Sequence, residues 1–163
     1  MTYRITGLPR VEFTRYFAAD TEELRRMGGM RVVADADAGY PCRVSLEDAR
    51  AGESVLLLNF TSHDVPGPFR TAYAIYVREV DTPGEGRSWL GELPPSLAVR
   101  TLSLRGFDVQ GLLRAARLAE PAGIEAGIAD LFASGEVAYI HAHYATYGCF
   151  AARIDRVGVG DER

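Results

Sequence analysis

The residues from Tyr139 to Ile154 constrain the fold most, because they read as one hairpin whose loop length decides which side chains share a face. Its arms are Tyr139-Ile140-His141-Ala142-His143-Tyr144 and Cys149-Phe150-Ala151-Ala152-Arg153-Ile154. Between them, Thr146-Tyr147-Gly148 suits an odd loop closed by a left-handed glycine. With an odd loop, odd-numbered residues face odd-numbered ones. The even face is then apolar: Ile140, Ala142, Tyr144, Phe150, Ala152 and Ile154. The odd face carries Tyr139, His141, His143, Cys149, Ala151 and Arg153. An even loop would mix the two sets, so the pattern places His141, His143 and Cys149 on one polar surface beside a packed core.

The rest of the chain supplies more strands than helices. Tyr3–Thr6 alternates weakly and ends at Gly7 and Pro9. Pro9 suits a helix start, with Val11, Phe13, Tyr16 and Phe17 as its buried stripe. Asp20-Thr21-Glu22-Glu23 has the form of a capping box, and Gly28-Gly29 stops that second helix. Met30–Ala34 reads as a strand, and Ser54–Phe60, apolar on both faces, as a central one. Thr61–Pro68 reads as a loop holding His63, and Arg70–Val80 as an alternating strand. Ala98–Leu104 and Leu112–Leu118 are further strands. Pro121 opens a helix with Ile124, Ile128, Leu131 and Phe132 on one stripe and Gly135 after it. Asp81–Ser96, rich in proline and glycine and including Trp89, reads as a mobile loop, and residues 158–163 as a polar tail.

These elements do not alternate as strand-helix-strand units. The expectation is an α+β fold: one domain over residues 1–163, with a mainly antiparallel twisted sheet and two or three short helices on one side. A chain of 163 residues is long enough for a self-sufficient core.

Composition removes several functions. The net charge of -4 argues against a nucleic-acid partner, which needs a clustered positive field. All 18 basic residues are arginine, so no lysine Schiff base or Walker-type phosphate lysine exists. The longest aliphatic run, Val55-Leu56-Leu57-Leu58, is too short to cross a bilayer, and no signal-like segment opens the chain. The expectation is a cytoplasmic protein without a membrane partner, its Cys42 and Cys149 reduced.

Three groups of residues carry chemistry. Cys42, with His63 or His141 as proton carrier, reads as a candidate nucleophile or redox thiol, weighed against a simply packed cysteine. Tyr40, Arg43, Arg70 and Cys149 read as candidate ligand contacts, arginine being suited to a small anionic ligand. His141 and His143 are the metal candidates, with Cys149, His63 or a carboxylate to complete the shell, set against a solvent-facing strand with incidental histidines. No cofactor is specified by any motif. The alternative to a small-molecule enzyme or ligand-binding protein is a non-catalytic interaction module, a homodimer joined by an edge strand or by the Asp81–Ser96 loop.

Tyr40-Pro41-Cys42-Arg43, Ser45-Leu46-Glu47-Asp48-Ala49, Gly52-Glu53, Tyr139-Ile140-His141 and Gly148-Cys149-Phe150 form a recognisable set. With Ile5-Thr6-Gly7-Leu8-Pro9, they make the chain resemble the bacterial domain-of-unknown-function family number 1203 over nearly its whole length. The family pattern has another residue where this chain has His143, which weighs against a His-x-His metal site. The resemblance implies no reaction, cofactor or catalytic residue.

Overall fold

A computed structural model of the chain describes residues 2–80 and 86–158. The fold is α+β and its strand pairings are antiparallel. A six-stranded sheet is built from β1 (Thr2–Thr6), β5 (Ser88–Leu90), β6 (Leu102–Phe107), β7 (Leu113–Ala119), β8 (Tyr139–Tyr144) and β9 (Phe150–Val157), in the order β5-β1-β9-β8-β6-β7. A second sheet holds β2 (Gly29–Val33), β3 (Ser54–His63) and β4 (Thr71–Arg78), with β3 in the middle. The helices are α1 (Thr14–Ala18), α2 (Thr21–Arg26), α3 (Pro95–Ala98) and α4 (Ile124–Ala133). Among the described residues no helix is long and apolar enough to cross a membrane.

Helix α4 follows from its stripe. Ile124, Ile128, Leu131 and Phe132 are all buried, and they join Leu104, Ile140, Ala142 and Ile154 in the core of the large sheet. Helix α2 starts where Asp20 caps it, its carboxylate accepting the Glu23 N–H at 2.8 Å. Leu24 then packs with Phe13, Tyr16, Leu56, Leu58, Ile75 and Val77 into the core of the small sheet. Val11, expected in the stripe after Pro9, is instead 74% exposed. Arg10–Phe13 forms a 3₁₀ turn, whose period of three puts Phe13 and Tyr16 inside and turns Val11 outward.

Other departures have local causes. Strand β3 runs on to His63 through an irregularity between Thr61 and His63, so His63 ends a strand rather than sitting in a loop. Of the stretch read as a mobile loop, residues 81–85 lie outside the described residues. The remainder is anchored: Ser88–Leu90 pairs with β1, Trp89 packs against the main core, and Ser96 of α3 is buried. Residues 159–163 of the expected tail are outside the described residues.

The terminal hairpin has the expected left-handed glycine, Gly148 with φ of 72°. Its register, however, shifts between Ala142↔Ala152 and His143↔Phe150. The extra residue of this bulge exchanges sides for Cys149, Phe150 and Ala151. Phe150 joins the histidine face, its ring centroid 5.0 Å from that of His141, while Ala151 and Cys149 pack with the main core. The histidine face is not open to solvent either. His63 and Tyr73 of the small sheet lie on His141 and His143, so both faces of β8 are buried.

Gly7 lets the two sheets approach. A Cβ there would stand 2.0 Å from the Val44 carbonyl oxygen, and the neighbouring Leu8 N–H donates to Arg43 O at 2.6 Å. Gly7→Ala must displace backbone, so urea unfolding should show a loss of about 3 kcal/mol. An unchanged midpoint would contradict this packing.

Candidate functional site

Arg43 is the least expected side chain in the interior, at 1% exposure. The Tyr40–Ala49 segment folds back on itself, with Ala49 N–H donating to Tyr40 O at 3.0 Å and Cys42 N–H to Glu47 O at 2.9 Å. Arg43 N–H donates to Tyr76 O of β4 at 3.0 Å, docking the segment on the small sheet. Neighbouring side chains then diverge. Cys42 enters the small-sheet core, its Sγ accepting from the backbone N–H groups of Val44 and Arg78. Arg43 reaches across to β9: Nε donates to Phe150 O at 2.8 Å, Nη1 to Pro41 O, and Nη2 to Cys149 Sγ at 3.1 Å.

Arg43 lines a cavity of about 780 Å³ between the small sheet, the start of β6 and the turn joining β8 to β9. Leu57, Tyr73, Ala74 and Tyr76 form one wall, and Tyr144, Tyr147 and Cys149 contribute from the hairpin. The Tyr144 ring lies between two guanidiniums, with Cζ of Arg43 at 5.0 Å and Cζ of Arg100 at 5.4 Å from its centroid. Burial raises the Tyr144 phenol above its ordinary range, so it stays neutral there, donating to Ser96 Oγ at 3.1 Å.

The charges in the cavity do not cancel. Arg100 is neutralised by a two-pronged pair with Asp48, Nη2 to Oδ1 at 2.7 Å and Nη1 to Oδ2 at 2.9 Å. Arg43 has no carboxylate partner among the described residues; its N–H groups go to two carbonyls and a thiol, and its Cζ lies over the Tyr144 ring. Those contacts use three of its five N–H donors.

Behind this cavity is a separate aromatic cluster. His63 Nδ1–H donates to Phe69 O at 2.8 Å, and Nε2 is hydrogen-bonded with Tyr139 OH at 2.7 Å. His143 Nδ1–H donates to Gly148 O at 3.1 Å. Burial first, and then neighbouring positive groups, depress His141 to about 3 and His143 to about 4. Neutral His141 and His143 rings packed edge-on against Phe107, Phe150 and Tyr73 make this a packed layer. Among the described residues, no group of three His, Cys, Asp or Glu side chains converges to hold a metal ion. The His141 and His143 rings are 6.3 Å apart.

A family model described as a protein of unknown function, DUF1203, matches residues 39–156. The chain belongs to the DUF1203 family. No curated protein and no solved structure matches it.

The matched span begins at Gly39, so it holds the cavity and the histidine layer but not the Ile5–Pro9 segment. Within this DUF1203 chain, Arg43 and Cys149 of the sequence-derived candidates meet directly. His63 and His141 meet each other, 4.9 Å between ring centroids, with Phe150 against His141, whereas Cys42 packs in the small-sheet core. Cys42 is 1% exposed in an apolar core, without the access a nucleophile needs. Tyr40 packs at a tilt against Tyr76, which lines the cavity, and donates to Asp35. Arg70 pairs with Asp64 at the surface. Arg100 and Tyr144 were not singled out from the sequence; the polar spacing around them is ordinary, and only the β6–β8 pairing brings them to Arg43.

The histidine layer makes the fold acid-sensitive. His141 and His143 bind protons near pH 6.5 in an unfolded chain and only at about 3 and about 4 in the fold. Their folded values are depressed, so the stability contributed by neutral rings is complete above 6.5 and is lost as pH falls toward those folded values. Each histidine should give a slope of about 1.4 kcal/mol per pH unit in that window. Denaturant unfolding at a series of pH values should show this decline, with a shallower acid limb for His141→Phe. Identical limbs for the two proteins would contradict it.

Proposed function

We propose that this chain binds a small organic anion in the cavity, held by Arg43 with the Cys149 thiol alongside. One observation carries the reading: a buried guanidinium borders an open cavity and lacks a carboxylate partner among the described residues. Burying an unpaired charge costs several kcal/mol, and breaking its pairing is among the costliest changes in an interior. Carbonyl and thiol contacts meet part of that cost. An anion in the cavity supplies the missing counter-charge and accepts the remaining N–H donors.

The chemistry open to this arrangement is recognition first. Arg43 is a planar donor group held through three of its N–H groups, which leaves two for a ligand. Cys149 is half-buried and lines the same space, which makes its sulfur a built-in reporter of what Arg43 holds.

Alkylation reads this directly. Iodoacetate and iodoacetamide both form an S–CH2 bond with release of iodide, but only the first is an anion. The iodoacetate-to-iodoacetamide rate ratio at Cys149, followed by peptide mass mapping, should exceed that of free N-acetylcysteine by about ten-fold. In Arg43→Met the ratio should fall toward the free-thiol value. A wild-type ratio at or below that of N-acetylcysteine overturns the reading without any need of the variant. Cys42, in its apolar core, should stay unmodified in the folded protein.

A further inference from the structure

The charge balance and the walls of the cavity narrow the ligand further, on the basis of the anion-binding reading above. We infer that the ligand is a singly charged carboxylic acid with an apolar body of about ring size, its carboxylate on Arg43 and its body against the small-sheet wall.

Three features carry this. The first is charge. Of the described side chains lining the cavity only Arg43 and Arg100 are cationic, and Arg100 is held by both oxygens of Asp48. Among the described residues the cavity therefore offers one unmatched positive charge. A carboxylate balances it, whereas a phosphate monoester in its doubly charged form would leave a buried negative charge unpaired.

The second is donor geometry. Nη1 and Nη2 each use one N–H on the protein, on Pro41 O and Cys149 Sγ, and each keeps one more. One donor left on each terminal nitrogen of a planar guanidinium suits the two oxygens of a carboxylate. A neutral amide presents one acceptor and one N–H group to the same pair, and its N–H group meets a donor.

The third is the wall itself. Leu57, Tyr73, Ala74 and Tyr76 bring aliphatic and aromatic surface, and a space of about 780 Å³ is far larger than a lone acetate or formate would fill. Affinity for such an acid comes from its body, and orientation comes from Arg43. The head of the acid is placed beside Cys149 Sγ because Nη2 contacts both.

The test uses the full chain at neutral pH in calorimetric titrations with 3-phenylpropionate, 3-phenylpropionamide, phenyl phosphate and acetate. The acid should bind at least about ten-fold more tightly than each of the other three. It should also slow iodoacetamide modification of Cys149. Phenyl phosphate binding as tightly as the acid overturns the single-charge inference and leaves the anion reading standing. Acetate binding as tightly overturns the apolar body alone. The amide binding as tightly overturns the class and the anion reading together. Absence of binding by all four at millimolar concentration overturns the class, while the alkylation ratio independently decides the anion reading. All comparisons are between ligands on one protein, so a misfolded Arg43 variant cannot obscure the result.

Discussion

The guanidinium of Arg43 is the tie on which the arrangement of the two sheets depends. It leaves a segment fastened to β4 of the small sheet and ends on the first residue of β9 in the large one. Its contacts with Pro41 O, Phe150 O and Cys149 Sγ set the depth of the cavity between those sheets. Polar groups that take a buried cation out of water must be satisfied together, because a half-satisfied network is worse than an apolar one. That demand explains why the segment around it is so heavily hydrogen-bonded, and why Gly7 must admit the Val44 backbone without a side chain between them.

Strand β8 is the second constraint. Its even residues face α4 and its histidines face the small sheet, so neither side has solvent to relax into. Imidazoles suit such a layer: His141 and His143 are flat and pack edge-on against Phe107 and Phe150, and His63 and His143 also satisfy the carbonyls Phe69 O and Gly148 O. The layer touches the cavity at Tyr73, whose ring packs on His143 and whose hydroxyl accepts from Arg105 Nη1 at 3.0 Å. Protonation of the histidine layer at low pH therefore loosens a wall of the cavity as well as the fold.

Much of the fold was legible because local patterns and tertiary burial agree. The α4 stripe, the Asp20 cap and the alternation in β4 each report one face, and each was read correctly. The terminal hairpin was legible in its arms and its glycine but not in its faces. A bulge leaves no mark on hydrophobic periodicity when the inserted residue is an alanine such as Ala151, small enough for either side. Histidines at alternate positions looked polar, and only the presence of a second sheet, which no single segment encodes, makes them interior. The pairing of Arg43 with Cys149 was within the candidate set, yet it joins residues 106 apart in sequence. Sequence spacing has no bearing on contacts of that separation, and Arg100 was missed for the same reason.

Crystals of the protein soaked in 4-bromobenzoate and measured at the bromine absorption edge test the central claim most directly. The account expects one anomalous peak in the cavity toward Tyr73 and Tyr76, with the carboxylate paired to Arg43 Nη1 and Nη2. Bromine bound only elsewhere, or Arg43 closed off by a carboxylate of the protein itself, would contradict it.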